Sequence, residues 1–154
     1  MKLALTLDGL LTNTEALRQE WLRINGDEKF LNDAAFWAAL KPYDDVKEAL
    51  KLLDGTDLYV FVVRPKTLFL PTRAWLRNNC GVELNKDRLI VPALKRYDAR
   101  MLGIDAYIDS DPSVIENLKI ETVYPVVPYL CDRGAGASLV ETVEQVLEGL
   151  RNRC

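Results

Sequence analysis

Charged residues stand just beyond successive apolar runs in this chain. Asp8 follows Leu3–Leu7, Arg64 follows Leu58–Val63, Lys95 comes after Arg88–Val91, and Asp109 and Asp111 follow Ala106–Ile108. If those runs are neighbouring strands of a parallel sheet, their carboxyl ends share one rim, which is where open α/β sheets bind ligands. Three carboxylates and two cations converging there suit a divalent cation held beside a phosphate group. Any one of these residues is better explained as a solvated charge at a strand end. It is the set that favours a site.

What the chain lacks narrows the chemistry further. It contains no histidine. A Ser-His-Asp or Cys-His centre is therefore excluded, as is a His-ligated zinc or haem. A metal would rest on oxygen ligands, which favours a hard cation such as magnesium. Acid–base work would fall to carboxylates, lysine, tyrosine or thiol. The net charge is −3 and there is no basic block, which disfavours a nucleic-acid backbone or an anionic membrane as partner. No apolar run approaches the roughly 20 residues that span a bilayer. The first residues lead straight into a motif and do not read as a signal peptide. Cys80, Cys131 and Cys154 are odd in number and form no Cys-x-x-Cys pair, so free thiols in a reducing cytoplasm are expected.

The elements that must position these residues can be read from hydrophobic period. Leu3–Leu7, Leu58–Val63, Arg88–Val91, Ala106–Ile108 and Thr122–Val127 are nearly continuous apolar runs, as expected of strands buried on both faces. Between them lie helical patterns. Thr12-Asn13-Thr14-Glu15 reads as a capping box before Leu17, Trp21, Leu22 and Ile24. Asp44–Leu53 places Val46, Ala49, Leu50 and Leu53 at helical spacing. Leu68–Asn79 carries Leu70, Ala74, Trp75 and Leu76, with Gly81 as its stop, and Ser138–Glu141 caps a terminal helix through Val143, Val146, Leu147 and Leu150.

Strand alternating with helix predicts a single α/β domain over residues 1–154, a Rossmann-like three-layer fold on a parallel sheet. The segment 13–42 holds more helix than one crossover needs, so a small helical cap over the sheet's carboxyl edge is expected there. Tyr124–Tyr129 reads as an edge strand because it contains two prolines. Arg133–Ser138 looks superficially like a phosphate loop but lacks the Gly-Lys-Ser/Thr ending, so a flexible loop plus helix cap is the expectation.

The motifs resemble those of the haloacid dehalogenase superfamily over roughly residues 2–118. Asp8-Gly9-Leu10-Leu11 is similar to the second half of the first motif, and Tyr59–Pro65 to the second, an apolar strand ending in Thr or Ser. Lys95 matches the third motif's lysine, and Tyr107-Ile108-Asp109-Ser110-Asp111-Pro112 the fourth. Within the superfamily the chain looks most like the 5′(3′)-deoxyribonucleotidases, through Phe36–Tyr43, Trp75-Leu76 and Arg88-Leu89-Ile90.

That resemblance implies phosphomonoester hydrolysis through an aspartyl-phosphate. One carboxylate attacks phosphorus, and another two residues on protonates the leaving group; that spacing puts both on one face of the strand. The resemblance assigns catalytic positions to residue 6, Asp8 and Lys95, and phosphate contacts to Gly9, the Val62 position, Arg64 and Lys95. It assigns magnesium to Asp8, Asp109 and Asp111. Two positions depart from the pattern. Thr6 stands where the nucleophilic aspartate belongs, and Val62 where a hydroxyl should donate to the phosphate. The leading expectation is a nucleotidase-related protein, a weak or inactive phosphohydrolase that binds a nucleotide or another phosphorylated small molecule, with magnesium bound weakly or not at all. The alternatives are an active magnesium-dependent phosphatase of altered mechanism, with Asp8 or Thr6 in a new role, and a protein-interaction module that binds a protein partner.

Overall fold

The computed structural model describes residues 1–29, 33–120 and 126–153. Runs of apolar residues without alternation do become buried parallel strands. They are β1 (Lys2–Thr6), β2 (Asp57–Phe61), β3 (Leu89–Ile90), β4 (Ala106–Asp109) and β5 (Val127–Leu130), and every pairing is parallel. The sheet order is β3-β2-β1-β4-β5. The strand order therefore reverses between β1 and β4, which leaves a crevice beyond their carboxyl ends.

Alternation along each strand sorts side chains into two cores. Leu3, Leu5, Val60, Val62 and Ile108 face the larger one. It is covered by α1 (Thr14–Asn25), α2 (Ala34–Ala38), α3 (Val46–Lys51), α4 (Phe69–Cys80) and α7 (Leu139–Arg151). Ala4, Tyr59, Phe61 and Tyr107 face the smaller core, beneath α5 (Lys95–Met101) and α6 (Pro112–Lys119). Helices on both faces of a parallel sheet make the three layers of the expected Rossmann-like architecture.

Local signals explain most boundaries. Ser138 caps α7 by accepting from the Glu141 N–H at 3.2 Å, and Val143, Val146 and Leu150 are buried as their spacing requires. Gly81 closes α4 in the left-handed region, with φ 68°. At α1 the cap lies one residue later than expected: Asn13 accepts from the Ala16 N–H. Thr12 is diverted because its backbone bridges both Asp8 and Pro42, and its carbonyl accepts from the Gly9 N–H. Its hydroxyl is buried with no partner. Leu70 and Ile24, expected on apolar faces, are exposed.

The last strand begins at Val127, where the apolar run Thr122–Val127 ends; residues 122–125 lie outside the described residues. Among the described residues β5 pairs only with β4, so Pro128 sits on an edge strand, where a missing N–H is tolerated. In the segment 13–42, α1 and α2 pack through Trp21 and Phe36, with ring centroids 5.0 Å apart. Cys80 and Cys131 are buried free thiols, and Cys154 lies outside the described residues. Among the described residues, no helix is long and apolar enough to cross a membrane.

Candidate functional site

The site grows from the turn after β1. Thr6 ends the strand almost fully buried, on the face of Ala4. Gly9 makes the turn at φ +86°, and a Cβ there would meet the Ser110 Oγ at 2.9 Å. Only glycine suits both that backbone and that close approach. Its N–H donates to the Thr12 carbonyl, so Gly9 serves the turn itself. The turn carries Asp8 to the crevice.

Asp8 meets Arg64 in a bidentate pair, with Nε to Oδ2 at 2.9 Å and Nη2 to Oδ1 at 2.7 Å. The Thr14 hydroxyl also donates to Oδ1, at 2.6 Å. Arg64 has no exposed side-chain surface. Its third nitrogen donates to the Thr72 hydroxyl at 3.0 Å, and its guanidinium lies 4.1 Å over the Trp37 ring. A delocalised, planar cation suits such a place, since it stacks and forks at once. Through Trp37, α2 of the 13–42 segment touches the rim.

The second pair forms across the switch point. Lys95, opening α5, donates to Asp109 Oδ2 at 2.8 Å, and the Tyr107 hydroxyl donates to the same oxygen at 2.6 Å. The Asp111 N–H donates to Oδ1 at 3.0 Å. Asp109 is buried and has donors on both oxygens. Burial, followed by the neighbouring Asp109 charge, pushes the Tyr107 phenol far above its ordinary range; the hydrogen bond with Thr6 works the other way. Tyr107 therefore keeps its proton, and the Thr6 hydroxyl lies beside it.

Asp8, Arg64, Lys95 and Asp109 are thus brought to one rim, as two ion pairs. Val62 is not at that rim's polar surface. It follows Val60 into the larger core, on the opposite sheet face from Thr6. Asp111 is the N-cap of α6, accepting from the Ser113 N–H and hydroxyl at 2.9 and 2.8 Å. The Ser113 contacts, hydroxyl first, hold its carboxyl below the usual range. The three carboxylates assigned to magnesium do not fit that ion as they stand. Both oxygens of Asp8 and of Asp109 are engaged by protein donors. Among the described residues, no group of three or more acidic or thiol side chains is placed to hold a metal.

Sequence reasoning missed Arg133. Its Nε donates to the Leu10 carbonyl at 2.9 Å, and Nη1 and Nη2 fork onto Asp45 at 2.9 and 2.7 Å. The guanidinium stacks 4.4 Å from the Tyr43 ring, and Asp45 also accepts from the Leu139 N–H. The expected flexible loop is instead a 3₁₀ turn at Arg133–Ala135 that pins the Asp8–Thr12 loop from behind. Nη1 also donates to the nearby Ala137 carbonyl at 3.1 Å, but Leu10, Tyr43 and Asp45 are distant along the chain, so nothing in the local sequence marks the contact with the Asp8–Thr12 loop. No model of a known protein family matches the chain, and comparison with curated proteins finds no match.

Proposed function

We propose that this chain is a haloacid-dehalogenase-like, nucleotidase-related protein that has given up phosphoryl transfer and retains a cleft for binding, a phosphorylated small molecule or nucleotide being the ligand class its ancestry suggests. The observation that carries this reading is the pairing of charges at the rim. Asp8 is paired with Arg64 and Asp109 with Lys95, with neutral Thr6 between them, while the third rim carboxylate, Asp111, is taken up as the N-cap of α6. An aspartate at position 6 would leave an excess negative charge that calls for a divalent ion; threonine does not.

An active enzyme of altered mechanism has less support. Thr6 would need a base, and its hydroxyl's neighbour is Tyr107, which burial keeps protonated. Asp8 is held by a two-point fork and a hydroxyl, three donors that favour its charged form and weaken it as a base. The test is a hydrolysis screen of p-nitrophenyl phosphate and deoxynucleoside monophosphates with magnesium. Natural protein and Thr6→Asp are assayed side by side. Background rates from the natural protein are expected. Magnesium-dependent turnover that disappears in Asp8→Asn would overturn the proposal.

A further inference from the structure

A second surface feature lies away from the rim and does not depend on the reading above. α3 and α4 cover the same face of the sheet, and each leads into the strand that follows it, α3 into β2 and α4 into β3. Their last turns therefore sit towards the amino edge of the parallel strands, the edge opposite Asp8 and Asp109. Between the two helices runs a groove of about 400 Å³. Its floor is apolar: Leu50 and Cys80 are buried, and Val82 is partly so. Burial pushes the Cys80 thiol up to about 11, with Lys47 acting the other way. The thiol thus keeps its proton at neutral pH and adds no charge to the floor.

The walls are cationic. Among the described residues that line the groove, α3 supplies Lys47 and Lys51 and α4 supplies Arg77, against the single carboxylate of Asp54. Helix dipoles account for two of these cations. Lys51 and Arg77 stand in last turns, where positive charge is favoured. Lys47 has no such explanation. It stands in the first turn of α3, where the dipole disfavours a cation. It also lies four residues before Lys51, a spacing at which like charges on a helix repel. Three cations and one carboxylate leave two positive charges, from which the two helix ends subtract about half a charge each. The groove is therefore electropositive, in a chain whose net charge is −3. Clefts of roughly 300–1,000 Å³ with an apolar lining and a few convergent polar groups are the usual form of small-molecule sites.

We propose that this groove binds a small organic anion, its apolar body against Leu50, Cys80 and Val82 and its anionic group among Lys47, Lys51 and Arg77. Asn78, on the same wall as Arg77, offers an amide that can donate to the ligand or accept from it. A ligand of this class gives Lys47 the counter-charge that its own helix withholds.

The test is a two-dimensional amide NMR titration with 2-naphthoate and with 2-naphthamide, its uncharged counterpart of nearly the same size. In the natural protein, naphthoate should shift the amides of residues 50–54 and 78–82 to saturation. It should bind about tenfold or more tighter than the amide, and rising salt should weaken only naphthoate. Lys47→Gln with Arg77→Gln should bring the two affinities together, with the unperturbed remainder of the spectrum reporting the fold. Equal affinity for the two probes, salt-independent naphthoate binding, shifts confined to other residues such as 8–12 at the rim, or no saturable shift would each overturn the proposal without needing any variant. Unchanged naphthoate affinity in the folded double variant would overturn it as well. None of these outcomes bears on the hydrolysis screen, so the two proposals stand or fall separately.

Discussion

Arg64 concentrates the physics of the rim in one side chain. It forks onto Asp8, donates to Thr72 and stacks on Trp37, with no side-chain surface exposed. A buried ion pair is weak evidence for net stability, but breaking one by removing a single partner is strongly unfavourable. Arg64→Met should therefore cost about 3 kcal/mol or more, since it strands the Asp8 carboxylate. Arg64→Lys keeps the charge but loses the fork, the Thr72 contact and the stack, and should still cost about 2 kcal/mol. Urea denaturation of the two variants checks this. If lysine proves as stable as arginine, charge alone matters here and the fork geometry does not. Asp45 offers a parallel case in the pH dependence. Its hydrogen bonds from Arg133, opposed by burial and aided by the Leu139 N–H, hold its carboxyl below the usual value of 3.8. A carboxyl depressed in the folded state adds stability at pH above the unfolded value, and that stability is lost as pH falls through the folded one. Below about pH 4 the natural protein should thus lose stability more steeply than Asp45→Asn. Acid-titrated thermal melts that run parallel for the two would remove Asp45 from the acid response.

At the scale of elements, the sequence reveals what is local and hides what is not. Four strands were readable because continuous apolar runs have no other good fate in a chain with helical segments between them. The fifth run, Thr122–Val127, meets β5 at Val127, and its residues 122–125 lie outside the described residues. α5 is just short of two turns and α6 just over two, so neither displays a sustained period; yet Asp111-Pro112-Ser113 carries a helix start signal, an Asp cap with Pro at the first position. Reading that signal would have placed Asp111 at a helix cap before any metal was considered. The rim residues were readable as a set because strand ends in a parallel sheet share an edge. Their partnerships were not, since Thr14, Thr72, Trp37 and Tyr107 become neighbours only when distant elements pack. The shifted α1 cap makes a direct test of local against tertiary control. Asn13→Ala should cost about 1 kcal/mol, the usual worth of a side-chain cap. Thr12→Val should be neutral or stabilising, because it replaces a buried hydroxyl that has no hydrogen-bond partner with a methyl group of similar shape. The opposite order of losses would return the cap to Thr12.

For the molecule as a whole, the decisive feature is where the strand order turns. β1 and β4 are neighbours that send their chains to opposite faces of the sheet, so the ends of both open into one crevice. One carboxylate arrives on each side, Asp8 after β1 and Asp109 at the end of β4, and each meets a cation from the loop or helix that follows the next strands, Arg64 after β2 and Lys95 after β3. The fold thus assembles two ion pairs at the rim from four distant segments, and Thr6 adds no further charge beside them. Thr6→Asp places a third carboxylate within reach of Tyr107 in a buried setting. With no cation to spare, the substitution should destabilise the protein by roughly 2–4 kcal/mol in the presence of a chelator. Magnesium gives the added charge a partner, so it should recover part of that loss through preferential binding to the folded state. The natural protein, in which Asp8 and Asp109 are already paired and Asp111 caps α6, should show no magnesium-dependent change in melting temperature. Thermal melts of both proteins with and without the ion decide the matter. A magnesium-induced rise in the natural protein would mean that Asp8 and Asp109 release their cations to a metal. A Thr6→Asp variant as stable as the natural protein in chelator would mean that the charge balance at the switch point is not what selects threonine there.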